Sequence, residues 1–155
     1  MSVLLFEPLV MAVVVRFAGR LLRASISRSL TLAALGFEWL CFALILGGVL
    51  PTSAQIMGLG LRIDGLSLPF IALTLGLLPL VLIFSAAEAR GQNGEEKYYA
   101  LMLILTAALI GIACTTDLFN LWLWFELMVT STYFLIAFHR DHPATFEAVF
   151  KYLVQ

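Results

Sequence analysis

The sequence predicts an all-α fold: a polytopic transmembrane helix bundle with five complete spans and the start of a sixth. Three observations carry that prediction. Of the 155 residues, 62% are hydrophobic and only 12% are charged, whereas an average soluble domain has about 25% charged residues. The mean hydropathy is +1.02. The apolar residues also fall in long runs, each near the ~20 residues that a helix needs to cross a bilayer core. The expected surroundings are therefore the lipid bilayer. The net charge of −1 carries no signal for a nucleic-acid partner, and none is expected. Cys41 and Cys114 lie inside apolar runs without metal-ligand spacing and read as small buried residues.

The chain reads as a single transmembrane domain, 1–155, with the first two spans in 1–60. Span one is Val3 to Arg16, short but extendable if Arg16 and Arg20 snorkel to the headgroups. It holds Glu7 and Pro8 and lacks a small-residue cleavage site, so it is a membrane helix and not a signal peptide. Arg16 to Ser29 reads as a basic loop, partly helical, and as a topology signal, with an anionic-lipid site as the alternative. Span two runs from Leu30 to Leu50 and contains the acid Glu38. Glu38 either pairs with a loop arginine, faces a neighbouring subunit, or takes part in proton movement.

Residues 51–65 read as a Gly/Pro loop ending in a turn and a helix start at Asp64-Gly65. Span three, Leu66 to Ala87, accepts Pro69 in its first turn, and Pro79 should kink its interior. The polar loop Glu88 to Lys97 leads into span four, Tyr98 to Thr116. The turn at Thr115-Thr116-Asp117 is tight, so spans four and five form an antiparallel hairpin, with Thr116 or Asp117 capping the fifth helix. His139 and His142 lie in a short loop and read as topology and capping residues, not metal ligands. From Ala144 a sixth helix starts, with Glu147 and Lys151 one turn apart. It reaches Gln155 after about three turns, too few to span, and reads as an interruption.

Span five, Asp117 to Phe138, is about 33 Å long at ~1.5 Å per residue. It carries one acid near its middle, Glu126. A charged group there costs on the order of 3 kcal/mol on insertion scales. Trp122, Thr130 and Tyr133 share its helical face. A carboxyl, a hydroxyl and a phenol in a row suit a protonatable relay, since the helix contains no base to form a fixed ion pair. The alternative is a protonated Glu126 that only bridges two helices.

If the spans alternate, Arg16, Arg20, Arg23, Arg28, Arg90, Lys97 and Arg140 fall on one side and Arg62 alone on the other. The positive-inside rule makes the first side cytoplasmic and places the N-terminus outside, in a bacterial plasma membrane.

Three segments form a set: Ile63-Asp64-Gly65-Leu66-Ser67-Leu68-Pro69-Phe70; Tyr98-Tyr99-Ala100-Leu101 through Thr116-Asp117-Leu118-Phe119; and Leu123-Trp124-Phe125-Glu126-Leu127-Met128 with a later Lys151-Tyr152. The set resembles the antiporter-like membrane subunits of respiratory complex I. That family also includes the large subunits of Mrp-type sodium/proton antiporters and of membrane-bound hydrogenases. The resemblance covers residues 60–155, with a looser fit before them. It implies that Glu126 is the fifth-helix glutamate of a proton-translocating pair. The pair's lysine, on a later broken helix, has no counterpart here. Lys151 stands at the start of the sixth helix and reads first as a helix-face or interfacial cation. Thr130, Tyr133, Glu38 and Lys151 are the proton-path candidates.

The resemblance implies a subunit, or the N-terminal part of one, that couples quinone reduction by NADH to proton transport. Its partners would be other membrane subunits of a respiratory or antiporter complex. An Mrp-type antiporter subunit and a structural remnant in another membrane complex are the alternatives. No glycine fingerprint or cysteine cluster is present, so no cofactor and no redox chemistry are expected in this chain. The second helical repeat of the family is missing, which fits a fragment, a split gene or a remnant.

Overall fold

The computed structural model describes residues 2–21, 24–56, 59–89 and 94–138. Five helices and one hairpin lie among them: α1 Ser2–Leu21, α2 Ala24–Leu46, β1 Ser53–Ile56, β2 Leu59–Arg62, α3 Ser67–Ala89, α4 Glu95–Cys114 and α5 Leu118–Ile136. Helices α2 to α5 are long and apolar enough to cross a membrane. The chain is an integral membrane protein. Among the described residues, length and composition thus support four of the five complete spans expected. Helix α1, which carries Glu7, Arg16 and Arg20, is not among these four. The expected sixth helix lies outside the described residues, as does Lys151.

Two further expectations change. The basic segment Arg16 to Ser29 is mostly helix: α1 continues to Leu21 and α2 begins at Ala24. Arginine is a good helix former, and the serines do not outweigh it. The 51–65 segment is not all loop. It folds into a short antiparallel hairpin that pairs Ser53 with Arg62 and Ile56 with Leu59, while the bundle itself is all-helical as expected.

The helix starts have visible causes. The Asp64 Oδ1 accepts hydrogen bonds from the backbone N–H of Ser67 at 2.9 Å and of Leu66 at 3.0 Å, and from the Ser67 hydroxyl at 2.9 Å. The Asp-Gly-Leu-Ser segment is thus a built helix entry, which satisfies the orphan donors of the first turn of α3. Helix α3 then continues through Pro79. Proline has no N–H, so the carbonyl of Leu75 loses its normal helical donor. The Trp39 indole N–H of α2 donates to that carbonyl at 3.0 Å.

Helix α4 is the centre of the molecule. It packs against α1, α2, α3, α5 and β2, and 61% of its apolar window is buried against 17% for α5. One apolar cluster, with Leu4, Leu5, Phe42, Ile71, Ile110 and Trp124, lies towards the hairpin end. The other, with Val15, Leu35, Leu82, Tyr99 and Leu103, lies towards the arginine-rich end. Helix α1 contributes to both and so runs alongside α4. At Gly111 a Cβ would collide with the ring of Trp124, so this glycine lets α4 and α5 approach closely. The hairpin docks on the α4–α5 turn. There the Gly60 carbonyl accepts from the Thr116 N–H at 3.2 Å, the Thr116 hydroxyl at 2.9 Å and the Asn120 amide at 3.4 Å.

Candidate functional site

Helix α5 begins where the sequence predicts. Asp117 is its N-cap and accepts from the Asn120 N–H at 2.7 Å. Its inward residues are Asn120, Trp124 and Ser131, which are buried. The helix is apolar around most of its circumference, so only packing decides which face turns in. Trp122, Glu126 and Thr130 are exposed, and Tyr133 is half-buried. The predicted row thus shares one face, and that face is turned out of the bundle formed by the described residues.

Glu38 lies elsewhere. It is fully buried on α2, at 0% exposure. Its carboxyl meets that of Glu7 on α1, within hydrogen-bonding reach. Neither Glu38 oxygen, nor Oε2 of Glu7, has a donor among the described residues. Of the loop arginines expected as its partner, Arg16 and Arg28 are engaged elsewhere. Arg28 Nη2 pairs with Glu95 at 2.8 Å, and its Nε donates to the Tyr99 hydroxyl at 3.2 Å. Arg16 pairs with Glu96 at 2.7 Å. These ion pairs join the α1–α2 turn to the N-terminus of α4, where acids also suit the helix dipole.

Sequence reasoning missed Glu7 as a partner, although a signal was present. Glu7 lies fourteen residues before α1 ends at Leu21, and Glu38 fourteen residues after α2 begins at Ala24. In an antiparallel helix pair, equal distances from the turn place two residues at one level, here about 21 Å along each axis. Cys41 and Cys114 are free and buried, as expected. Among the described residues no group of three or more His, Cys, Asp or Glu side chains could hold a metal ion.

Helices packed around α4, most of them long and apolar enough to cross a bilayer, define an integral membrane protein. A family model described as NADH-ubiquinone oxidoreductase chain 4, amino terminus, matches residues 1–112. The chain belongs to this family of antiporter-like membrane subunits. The match starts at the first residue, so the looser N-terminal resemblance belongs to it too. It ends before α5, so Glu126 lies outside it.

Among curated relatives, the chain is 30% identical over 98 residues to the Na(+)/H(+) antiporter subunit A1 of Staphylococcus haemolyticus, covering 63% of this chain and 12% of that one. It is 34% identical over 79 residues to the putative antiporter subunit mnhD2 of the same organism, covering 50% of this chain and 16% of that one. The chain thus spans a small part of these relatives. A chain of the membrane-bound sulfane sulfur reductase, an archaeal respiratory membrane complex, shares the fold. Its TM-score is 0.78 at 22% identity, over 99% of this chain and 33% of that one.

Proposed function

We propose that the chain is a proton-translocating subunit, or part of one, of a complex I-like NADH:quinone oxidoreductase, with Glu126 as the proton-carrying group. The observation that carries this reading is an exposed carboxyl in the middle of a spanning helix. Turned to hydrocarbon it would cost about 3 kcal/mol, so the Glu126 face calls for protein against it, supplied by further helices or neighbouring subunits. Thr130 and Tyr133 follow one and two turns later and serve as hydroxyl stations for protons moving to and from the acid. A change in the neighbouring assembly alters how tightly Glu126 holds its proton and releases it to the opposite side. Lys151 remains a candidate further along the path.

Orientation follows the same reading. Arg16, Arg20, Arg28 and Lys97 gather at one end and Arg62 at the other. This supports a cytoplasmic arginine-rich end and an N-terminus outside, in a bacterial plasma membrane. Helix α1, lying alongside α4, then serves as a fifth span.

The test is Glu126→Gln in the intact complex in sealed vesicles. Proton translocation is expected to be lost while the amount of inserted chain is unchanged. Normal pumping by this variant refutes the assignment. The second reading is a sodium/proton antiporter subunit, favoured by the names of the two staphylococcal relatives. Sodium-dependent proton exchange that needs neither NADH nor quinone would select it.

A further inference from the structure

A second acidic site lies away from the Glu126 face, on different helices, and the argument for it does not depend on Glu126. Glu38 is fully buried and neither of its oxygens has a donor among the described residues. The group in contact with it is the carboxyl of Glu7. An ionised carboxylate only accepts hydrogen bonds, so two of them in contact have no bond to make. Like charges this close in an apolar setting do not both stay ionised. One proton resolves both problems, because a protonated carboxyl donates to its ionised neighbour in a short charge-assisted bond.

We infer that Glu7 and Glu38 form a proton-binding site between α1 and α2, in which one proton is shared by the two carboxyls.

The surroundings favour a proton over a metal cation. Cys41 stands near the pair on α2. Helix α3 carries one charged residue, Glu88, at its far end. The acids of α4, Glu95 and Glu96, lie at the other end of the bundle and are paired with Arg28 and Arg16, and Cys114 lies at the near end as a buried thiol. The hydroxyls of Thr31, Thr74 and Thr106 donate to carbonyls of their own helices. Two carboxyls alone do not make the shell of six or more oxygens that a hard cation takes. Access is through Glu7, which is half-buried where Glu38 is sealed. Glu7 sits five residues, about 8 Å, from the start of α1, at the hairpin end.

The experiment is infrared difference spectroscopy at neutral pH on the intact complex in lipid vesicles, comparing wild type with the E7Q/E38Q double variant. Subtraction isolates this pair from every other acid. The expected difference is one protonated carboxyl band and one carboxylate band per chain, unaffected when sodium replaces choline. In E7Q alone the remaining Glu38 band is expected to move, because an amide replaces the carboxylate that accepted its proton. Two protonated bands, two carboxylate bands, a sodium-dependent band, or a Glu38 band unmoved in E7Q would each overturn the shared proton. The same comparison in the E126Q background is expected to be unchanged, so failure here is distinguishable from failure of the Glu126 assignment.

Discussion

Trp39→Phe removes one hydrogen bond and keeps an aromatic ring in place. In a regular helix the N–H of residue 79 would donate to the carbonyl of Leu75. Pro79 has no N–H, and Trp39 supplies the donor from the neighbouring helix at 3.0 Å. Leu75 is fully buried, so water does not take over the role. Leaving a buried acceptor unpaired costs about 1–3 kcal/mol, while interhelical hydrogen bonds in membranes average about 0.6 and reach about 1.7 kcal/mol. The overlap of these ranges gives an expected loss of roughly 1–1.5 kcal/mol. Pro79→Ala restores the helical donor. In that background the same Trp39 substitution should cost only about 0.5 kcal/mol, a coupling of about 0.5–1 kcal/mol. Unfolding titrations in mixed micelles of the wild type, both single variants and the double variant measure this cycle. If Trp39→Phe is equally costly with and without Pro79, the indole is not replacing the missing donor.

Two other perturbations have outcomes set by the fold. Gly111→Ala drives a Cβ into the buried Trp124 ring and should destabilise the α4–α5 pair by about 1–3 kcal/mol, read as a lower melting temperature. The donors of Ser67 and Leu66, helped by Arg62, hold the Asp64 carboxyl below its ordinary value of 3.8. A lowered folded value means a stabilising contribution that is complete above 3.8 and lost as pH falls through the lowered value. Unfolding curves of wild type and Asp64→Asn are therefore expected to differ at neutral pH and converge in acid; a gap that persists at the lowest pH contradicts the cap.

The apolar runs were the most readable part of the sequence. Span five, expected over Asp117 to Phe138, is Leu118–Ile136 with Asp117 as its cap. Span three, expected from Leu66, starts at Ser67. These ends were readable because caps and turn residues act locally. Helix α2 begins at Ala24, six residues before its expected start, because Arg and Ser suggest a loop when their ion partners are unseen. The pairing of Arg16 with Glu96 joins positions 80 apart, and no local pattern encodes it. The hairpin was hidden because its strands are four residues each and need the α4–α5 turn to dock on. The row of Glu126, Thr130 and Tyr133 followed from helical periodicity. Its outward direction did not, because an all-round apolar helix does not declare its inner face.

The pairing of α1 with α4 has a consequence for how the chain is made. Helix α1 leaves the ribosome well before α4, carrying Glu7, Arg16 and Arg20, and Glu96 is synthesised 80 residues after Arg16. At about 5–20 residues per second that interval is roughly 4–16 s. During it α1 and α2 already meet through the Ser27 hydroxyl, which donates to the Val15 carbonyl at 3.4 Å, and through the acid pair. Biogenesis is thus ordered: α1 and α2 insert and wait as a hairpin, and the arrival of α4 locks their arginines and closes the bundle.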